Sequence, residues 1–192
     1  MKSILDTIIH YLLKQWIITK PYMQNYKKFN NKKLINTRVS STTYIGNKYF
    51  LDLGNNCYIG HFNVIDASNG VKIGNGCQFG SNVSIYSHSS HIAIRLYGEK
   101  YVQYHNQHIG YIKGKVDIGA YTFIGSYSLI EPNVTIGKGS LIKAFSHVKQ
   151  GTYPDFAILE GIPAKIVGDT RQIDEKYLNQ NQKLKEYYNE WQ

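Results

Sequence analysis

The sequence predicts an all-β fold, a coiled parallel β-structure with a three-sided cross-section, and three observations carry that prediction. Between Asp117 and Lys149 an aliphatic residue stands at every sixth position: Ile118, Ile124, Ile130, Ile136, Ile142 and Val148. Three of these are followed by glycine (Gly119, Gly125, Gly137), and the fourth place of each later interval is small or β-branched (Thr122, Ser128, Val134, Ser140, Ser146). The spacing recurs upstream in Leu53, Ile59, Ile65 and in Ile73, Phe79, Ile85. A period of six matches neither the 3.6 of a helix nor the two of a strand. It is the mark of a β-helix in which each hexad makes one flat side and then turns a corner.

The elements follow in order. Residues 1–36 are expected to be a helical N-terminal segment. Its stretch 3–18 is apolar, with Ser3 as N-cap and Pro21 beyond its end. Its expected place is across one end of the prism, covering an open sheet edge. Residues 37–169 are the β-helix. Ile45-Gly46 begins a partial coil, and full coils start at Leu53, Ile73, Ile118 and Ile136, with inward aliphatics stacked roughly 4.8 Å apart. The interval from Ile65 to Ile73 is longer than six, and its extra residues fall in the turn Ala67-Ser68-Asn69-Gly70. The glycines are expected to supply left-handed backbone at the corners. Cys57 and Cys77 occupy equivalent places in successive repeats and read as small core residues, not as a disulfide framework.

The repeat breaks once, between Ile85 and Ile118. The insert, residues 86–116, holds His88, His91, His105 and His108, with Arg95, Glu99, Tyr97, Tyr101, Tyr104 and Tyr111. Long excursions from a rigid scaffold are where binding and catalytic groups tend to sit. Residues 170–192 read as a C-terminal helix whose apolar members are Tyr177, Leu178, Leu184, Tyr187, Tyr188 and Trp191. It is expected to cap the other end or to pack on a neighbouring subunit.

The formal charge of +9 is high for 192 residues, with Lys27, Lys28, Lys32 and Lys33 and the lysines from Lys138 onward contributing much of it. A phosphate-rich co-substrate, an anionic membrane or polymer, and plain solubility compete to explain it. No DNA- or RNA-binding motif is present, so nucleic acid is not an expected partner. Met1–Thr19 carries Asp6 and Lys14 in its apolar stretch, lacks a small-residue cleavage site, and is too short and charged to span a bilayer. A cytoplasmic protein is expected, with shallow association at the inner face of the membrane as a further option.

The hexads, the histidine-bearing insert and the ending Ala157-Ile158-Leu159-Glu160-Gly161-Ile162-Pro163-Ala164-Lys165-Ile166-Val167-Gly168 together resemble the hexapeptide-repeat acyltransferases, and more narrowly the sugar and polysaccharide O-acetyltransferases. The resemblance covers about 39–169. It implies a left-handed β-helix, a homotrimer with clefts between adjacent prisms, acetyl-CoA as co-substrate, and a sugar or polysaccharide acceptor. It implies a catalytic histidine a few residues after the hexad that enters the loop: His91 first, then His88, with His105 and His108 behind them. An imidazole of ordinary pKa, about 6.5, can take the proton of a sugar hydroxyl and return it to the departing thiolate. Asp66 would orient the base or hold sugar hydroxyls, and Arg95 and Tyr97 would contact the acceptor. Acetyl-CoA would lie along Gly125, Ser126, Ala144 and Ser146, with Lys149 and Lys165 near its phosphates. This leading reading assigns no metal ligand.

Three other readings stand beside it. The nearest is transfer to a sugar amine. A different class is a trimeric metal-dependent carbonic anhydrase on the same prism, for which His61, His88 and His91 would be the ligands to examine. The third is a non-catalytic prism that organises partners, against which the long histidine-rich insert argues.

Overall fold

The computed structural model describes residues 2–19, 21–104 and 107–192, with side chains over 4–13 and throughout the two later spans. Three parallel sheets wrap around one core. The first face stacks Lys32–Ser40, Tyr58–Ile59, Gln78–Phe79, Phe123–Ile124, Leu141–Ile142 and Ala157–Gly161. The second stacks Leu51–Leu53, Val71–Ile73, Val116–Ile118, Val134–Ile136 and Gly151–Tyr153. The third stacks Tyr44–Gly46, Val64–Asp66, Ser84–Tyr86, Leu129–Ile130 and His147–Val148.

The register is the one the hexads call for. Ile59 lies beside Phe79, Phe79 beside Ile124, and Ile124 beside Ile142. On the third face Ile45, Ile65, Ile85, Ile130 and Val148 form one ladder. All but Ile45 are completely buried. Each fully buried aliphatic side chain contributes about 1.5–3 kcal/mol, so the inward ladders are the chief source of stability.

Gly70, Gly76 and Gly139 supply the expected left-handed backbone, but the glycines that follow an inward aliphatic work differently. Gly119 and Gly125 do not have positive φ. A Cβ on either would stand 2.4 Å from the backbone nitrogen of the next coil, Lys138 or Ala144 respectively. These glycines let one coil lie against the next. The left-handed residue comes two places after the glycine, and it is most often asparagine or an aromatic, as at Asn56, Phe62, Tyr121 and Tyr127. The small residue after it binds the neighbouring coil: Thr37 Oγ1 donates to the Gly54 carbonyl at 2.8 Å, and Cys57 and Cys77 Sγ donate to Gly74 and Gly119 at 3.2 Å. Both cysteines are free and buried. Burial pushes their thiols upward, Cys77 to about 12, so both stay protonated donors.

Both ends depart from the expected helices. The N-terminal helix covers Lys2–Thr19, but the rest of segment 1–36 is not helical: Met23–Phe29 and Lys32–Ser40 form an antiparallel hairpin. The hairpin, not the helix, covers the first face, through Arg38 beside Tyr58 and Val39 beside Ile59. The physical reason is backbone satisfaction: a helix can only shield an open strand edge, whereas another strand also pairs its N–H and C=O groups. Helix residues 4–13 are all exposed. The C-terminal segment is two short helices, Thr170–Leu178 and Gln182–Asn189, each started by a side-chain cap, Asp169 and Asn181. Trp191 then folds back on Tyr121 and Phe156, with ring centroids 4.6 and 5.8 Å away.

Two stability measurements check this account. Ile124→Ala removes a wholly buried side chain with no room to collapse and is expected to cost about 2–5 kcal/mol in denaturant unfolding. Gly125→Ala is expected to destabilise although alanine is intrinsically the better residue in ordered structure; a neutral or stabilising result would show that the coils can move apart.

Candidate active site

Along the first and second faces the inward aliphatic is followed by glycine at Gly60, Gly74, Gly119, Gly125 and Gly137. The third face breaks this pattern. There the sequence of following residues, coil by coil, is Gly46, Asp66, Tyr86, Glu131 and Lys149. That edge is also where the insert leaves the prism. Its neck is a short antiparallel pair, His88–Ser89 against Ile112–Lys113.

Asp66 is the centre of the site. It is buried at the end of its strand. Its Oδ2 lies 2.6 Å from His88 Nδ1 and accepts the Ser87 hydroxyl at 3.1 Å, while Oδ1 accepts the Ser68 hydroxyl. Burial pushes this carboxyl upward, but the hydrogen bonds from Ser68 and His88 and the attraction of His88 outweigh it, so its pKa falls below the ordinary 3.8. An ionised carboxylate only accepts, so His88 Nδ1 must carry the hydrogen. The neutral ring then keeps its lone pair on Nε2. The ring stacks on Tyr111, with centroids 5.6 Å apart and planes within 2°. Two contacts thus fix the tautomer and the plane of one imidazole.

His88 opens onto a groove of about 390 Å³ whose walls include Tyr86, His91, Leu129, Glu131 and Gln150. His91 is exposed, with Nδ1 2.8 Å from the Ser89 hydroxyl and, among the described residues, no carboxylate bonded to its ring. Glu131 is held by His147, Nε2 to Oε1 2.7 Å. A groove with an oriented imidazole at one point and a fixed carboxylate at another can take a proton from a polyol and hold its remaining hydroxyls.

The other expected residues are dispersed. The Arg95 guanidinium donates to the His91 carbonyl. Tyr97 is part of the insert's own core: its hydroxyl accepts from Ile109 N at 2.9 Å, and its ring packs edge-on against Tyr104 and His108. His108 is buried there, stacked on Tyr101 at 3.9 Å and donating from Nε2 to the Tyr101 carbonyl. His105 lies outside the described residues. Gly125, Ser126, Ala144 and Ser146 line the corner between the first and third faces, where Ser126 Oγ accepts from Ser81 N and the Ser146 hydroxyl donates to Lys143 O. Lys149 is exposed beside Gln150, and Lys165 is exposed on the outer strand Ala164–Asp169. His61 binds Ser40 through Nδ1 at 2.7 Å, away from His88. Among the described residues no three potential metal ligands gather. Sequence reasoning missed Glu131, His147 and the role of Tyr111. The readable signal was the third-face column, where a side chain replaces glycine.

Comparison with known proteins agrees with this architecture. Residues 115–150 match the family model described as bacterial transferase hexapeptide (six repeats). Galactoside O-acetyltransferase from Escherichia coli K12 is 27% identical over 155 residues, covering 76% of this chain and 70% of that protein. dTDP-4-amino-4,6-dideoxy-D-glucose acyltransferase from Escherichia coli is 30% identical over 121 residues, covering 62% of this chain and 60% of its own length. The structure of an N-acyltransferase from Bacillus cereus, solved with dTDP and 3-hydroxybutyryl-CoA, has the same fold, with a TM-score of 0.56 at 20% identity over 77% of this chain and 89% of that one. In sequence and in fold the chain resembles the hexapeptide-repeat acyltransferases.

The Asp66–His88 pair has a pH signature. Asp66 ionises more readily in the folded chain than in the unfolded one, so its contribution to stability is complete above pH 3.8 and is lost as pH falls through its lower folded pKa. Unfolding measured from pH 6 down to pH 2 is expected to show a shallower acid slope for Asp66→Asn than for the parent chain.

Proposed function

We propose that this protein transfers an acetyl group from acetyl-CoA to a hydroxyl of a sugar, either a precursor or a surface polysaccharide, with His88 as general base. The observation that carries the reading is the 2.6 Å contact between His88 Nδ1 and buried Asp66, which leaves Nε2 to the groove. His91 had first place in the sequence, but it lacks a carboxylate partner, and Arg95 on its carbonyl gives it a role in shaping the groove.

Acetyl transfer then needs three movements. Nε2 takes the acceptor's hydroxyl proton as the oxygen attacks the thioester carbonyl carbon. The tetrahedral intermediate collapses with cleavage of the C–S bond. The imidazolium, stabilised by Asp66, returns its proton to the departing thiolate. Pairing with an ionised carboxylate favours this transient cation, which is why a buried acid behind the base accelerates the reaction.

The corner carrying Gly125, Ser126, Ala144 and Ser146 is the proposed bed for the pantetheine arm, with Lys149 and Lys165 toward the phosphates. In one chain this corner and the His88 groove lie on opposite edges of the third face. A homotrimer that sets one prism's corner against its neighbour's groove would bring donor and acceptor together. A sugar amine is a second acceptor class under the same base, supported by similarity to the acyltransferase named for an amino sugar. The proposed place of action is the cytoplasm.

Titration calorimetry is expected to show saturable acetyl-CoA binding near one per chain; a folded protein that binds none would sink the reading. With an active acceptor, His88→Ala should lower kcat by about 10²–10⁴-fold while leaving acetyl-CoA affinity little changed. His91→Ala should cost far less, and the reverse order would restore His91 as the base.

A further inference from the structure

The first fifty residues carry a chemistry that acyl transfer does not use. Between Thr7 and Leu51 the chain has eight of its 22 lysine and arginine residues and none of its 13 aspartates and glutamates. The lysines from Lys138 onward, expected to contribute much of the formal charge of +9, are offset by acidic residues in the same region, so the charge resides almost wholly in this stretch and the remainder is close to neutral. Charge segregated in this way is an electrostatic footprint, not a solubility coat spread over the surface.

The same stretch carries an unpartnered apolar stripe. On the helix Lys2–Thr19, the residues Ile4, Leu5, Ile8, Ile9, Leu12 and Leu13 recur at the i, i+1, i+4, i+5 spacing that lines one face. Each is between 46% and 67% exposed, although side chains of this kind are normally buried. Asp6 and His10 fall on the other side. No helix among the described residues is long and apolar enough to cross a membrane.

The hairpin that follows supplies the complementary half. Lys27, Lys28 and Lys33 are exposed on it. Near its tip an open cleft of about 670 Å³ runs between the hairpin and the turn Lys48–Phe50, walled by Tyr26, Lys28, Phe29, Lys48 and Tyr49. Tyr49 is 79% exposed and Phe50 62%. Asn30 locks the tip to this turn by donating to the Leu51 carbonyl at 3.1 Å and to that of Lys48. Lysines among exposed aromatics suit a headgroup region, where the rings sit at the interface and the ammonium groups meet phosphate.

We propose that the N-terminal helix and the lysine-aromatic hairpin together form a docking surface for an anionic membrane. The helix lies in the interface plane with its leucine and isoleucine stripe buried, and the hairpin lysines sit against anionic headgroups. One weak signal gives only marginal membrane binding, and two acting together give a stable one. A protein partner fits the charge less well, because interface cores are depleted in lysine. This proposal does not depend on the acyl-transfer reading: a chain without acetyl-CoA binding could still dock, and the converse holds.

Co-sedimentation of the full chain with vesicles tests it. Binding is expected to vesicles containing phosphatidylglycerol, to be weak on pure phosphatidylcholine, and to fall as salt is raised. Each of Lys27→Gln, Lys28→Gln and Lys33→Gln should weaken it by about fivefold, following the roughly 1 kcal/mol that a basic residue contributes at an anionic surface. Leu5→Asp and Leu12→Asp should abolish it while acetyl-CoA titration and far-ultraviolet circular dichroism stay unchanged. Absence of binding to phosphatidylglycerol vesicles overturns the proposal. So does a Leu12→Asp chain that keeps its vesicle binding but drops to a smaller assembly by sedimentation, since the stripe would then be covered by a second copy.

Discussion

Everything in this molecule depends on how closely successive coils can lie. Neighbouring strands sit roughly 4.8 Å apart, and at that spacing any side chain pointing along the stack meets the next coil's backbone. The chain meets the constraint with glycine where two coils nearly touch, a left-handed residue two places on, and a small hydroxyl or thiol that donates to the carbonyl opposite. Inward aliphatics fill what remains. A substitution at any of these places is therefore felt by the coil above and the coil below.

The same constraint explains where function can be placed. Two edges of the prism are committed to glycine and close contact. The third edge is relieved of it, and there the chain installs Asp66, Tyr86, Glu131 and Lys149 in one column. Asp66 is able to hold His88 because it stands on a strand whose position is fixed from both sides, while the histidine stands on the neck of the insert. Rigid carboxylate and tethered imidazole are thus separated in sequence by a full coil and meet at 2.6 Å.

The fold was legible because its signal is repeated: five consecutive intervals of six residues, with more upstream, report one geometry many times over. The coil starts, the partial coil at Ile45 and the buried cysteines follow from it. The ends were partly legible: the apolar helix at 3–18 and the helical tail stand out, but nothing periodic marks the hairpin 23–40 or the break between the two C-terminal helices. The site was half legible. Asp66 and the loop histidines stand out, but choosing between His88 and His91 needs the knowledge that Asp66 reaches one and not the other. Spacing along a chain does not encode that distance. Glu131 escaped because its meaning lies in what it replaces.

The insert leaves after Ser84–Tyr86 and the chain re-enters the stack at Val116 beside Val71, where an uninterrupted coil would have placed it, with Val116 N donating to the Gly70 carbonyl at 3.1 Å. The residues between Tyr86 and Val116 come and go without moving the register by one. Closure entropy grows only slowly with length, each doubling adding about 0.6 kcal/mol. The insert is therefore a cassette. Beyond the neck that carries Ser87, His88 and Tyr111, its sequence and length can drift while the prism, the column on its third edge and the Asp66 carboxylate persist, so the rim of the groove can vary independently of the scaffold that carries it.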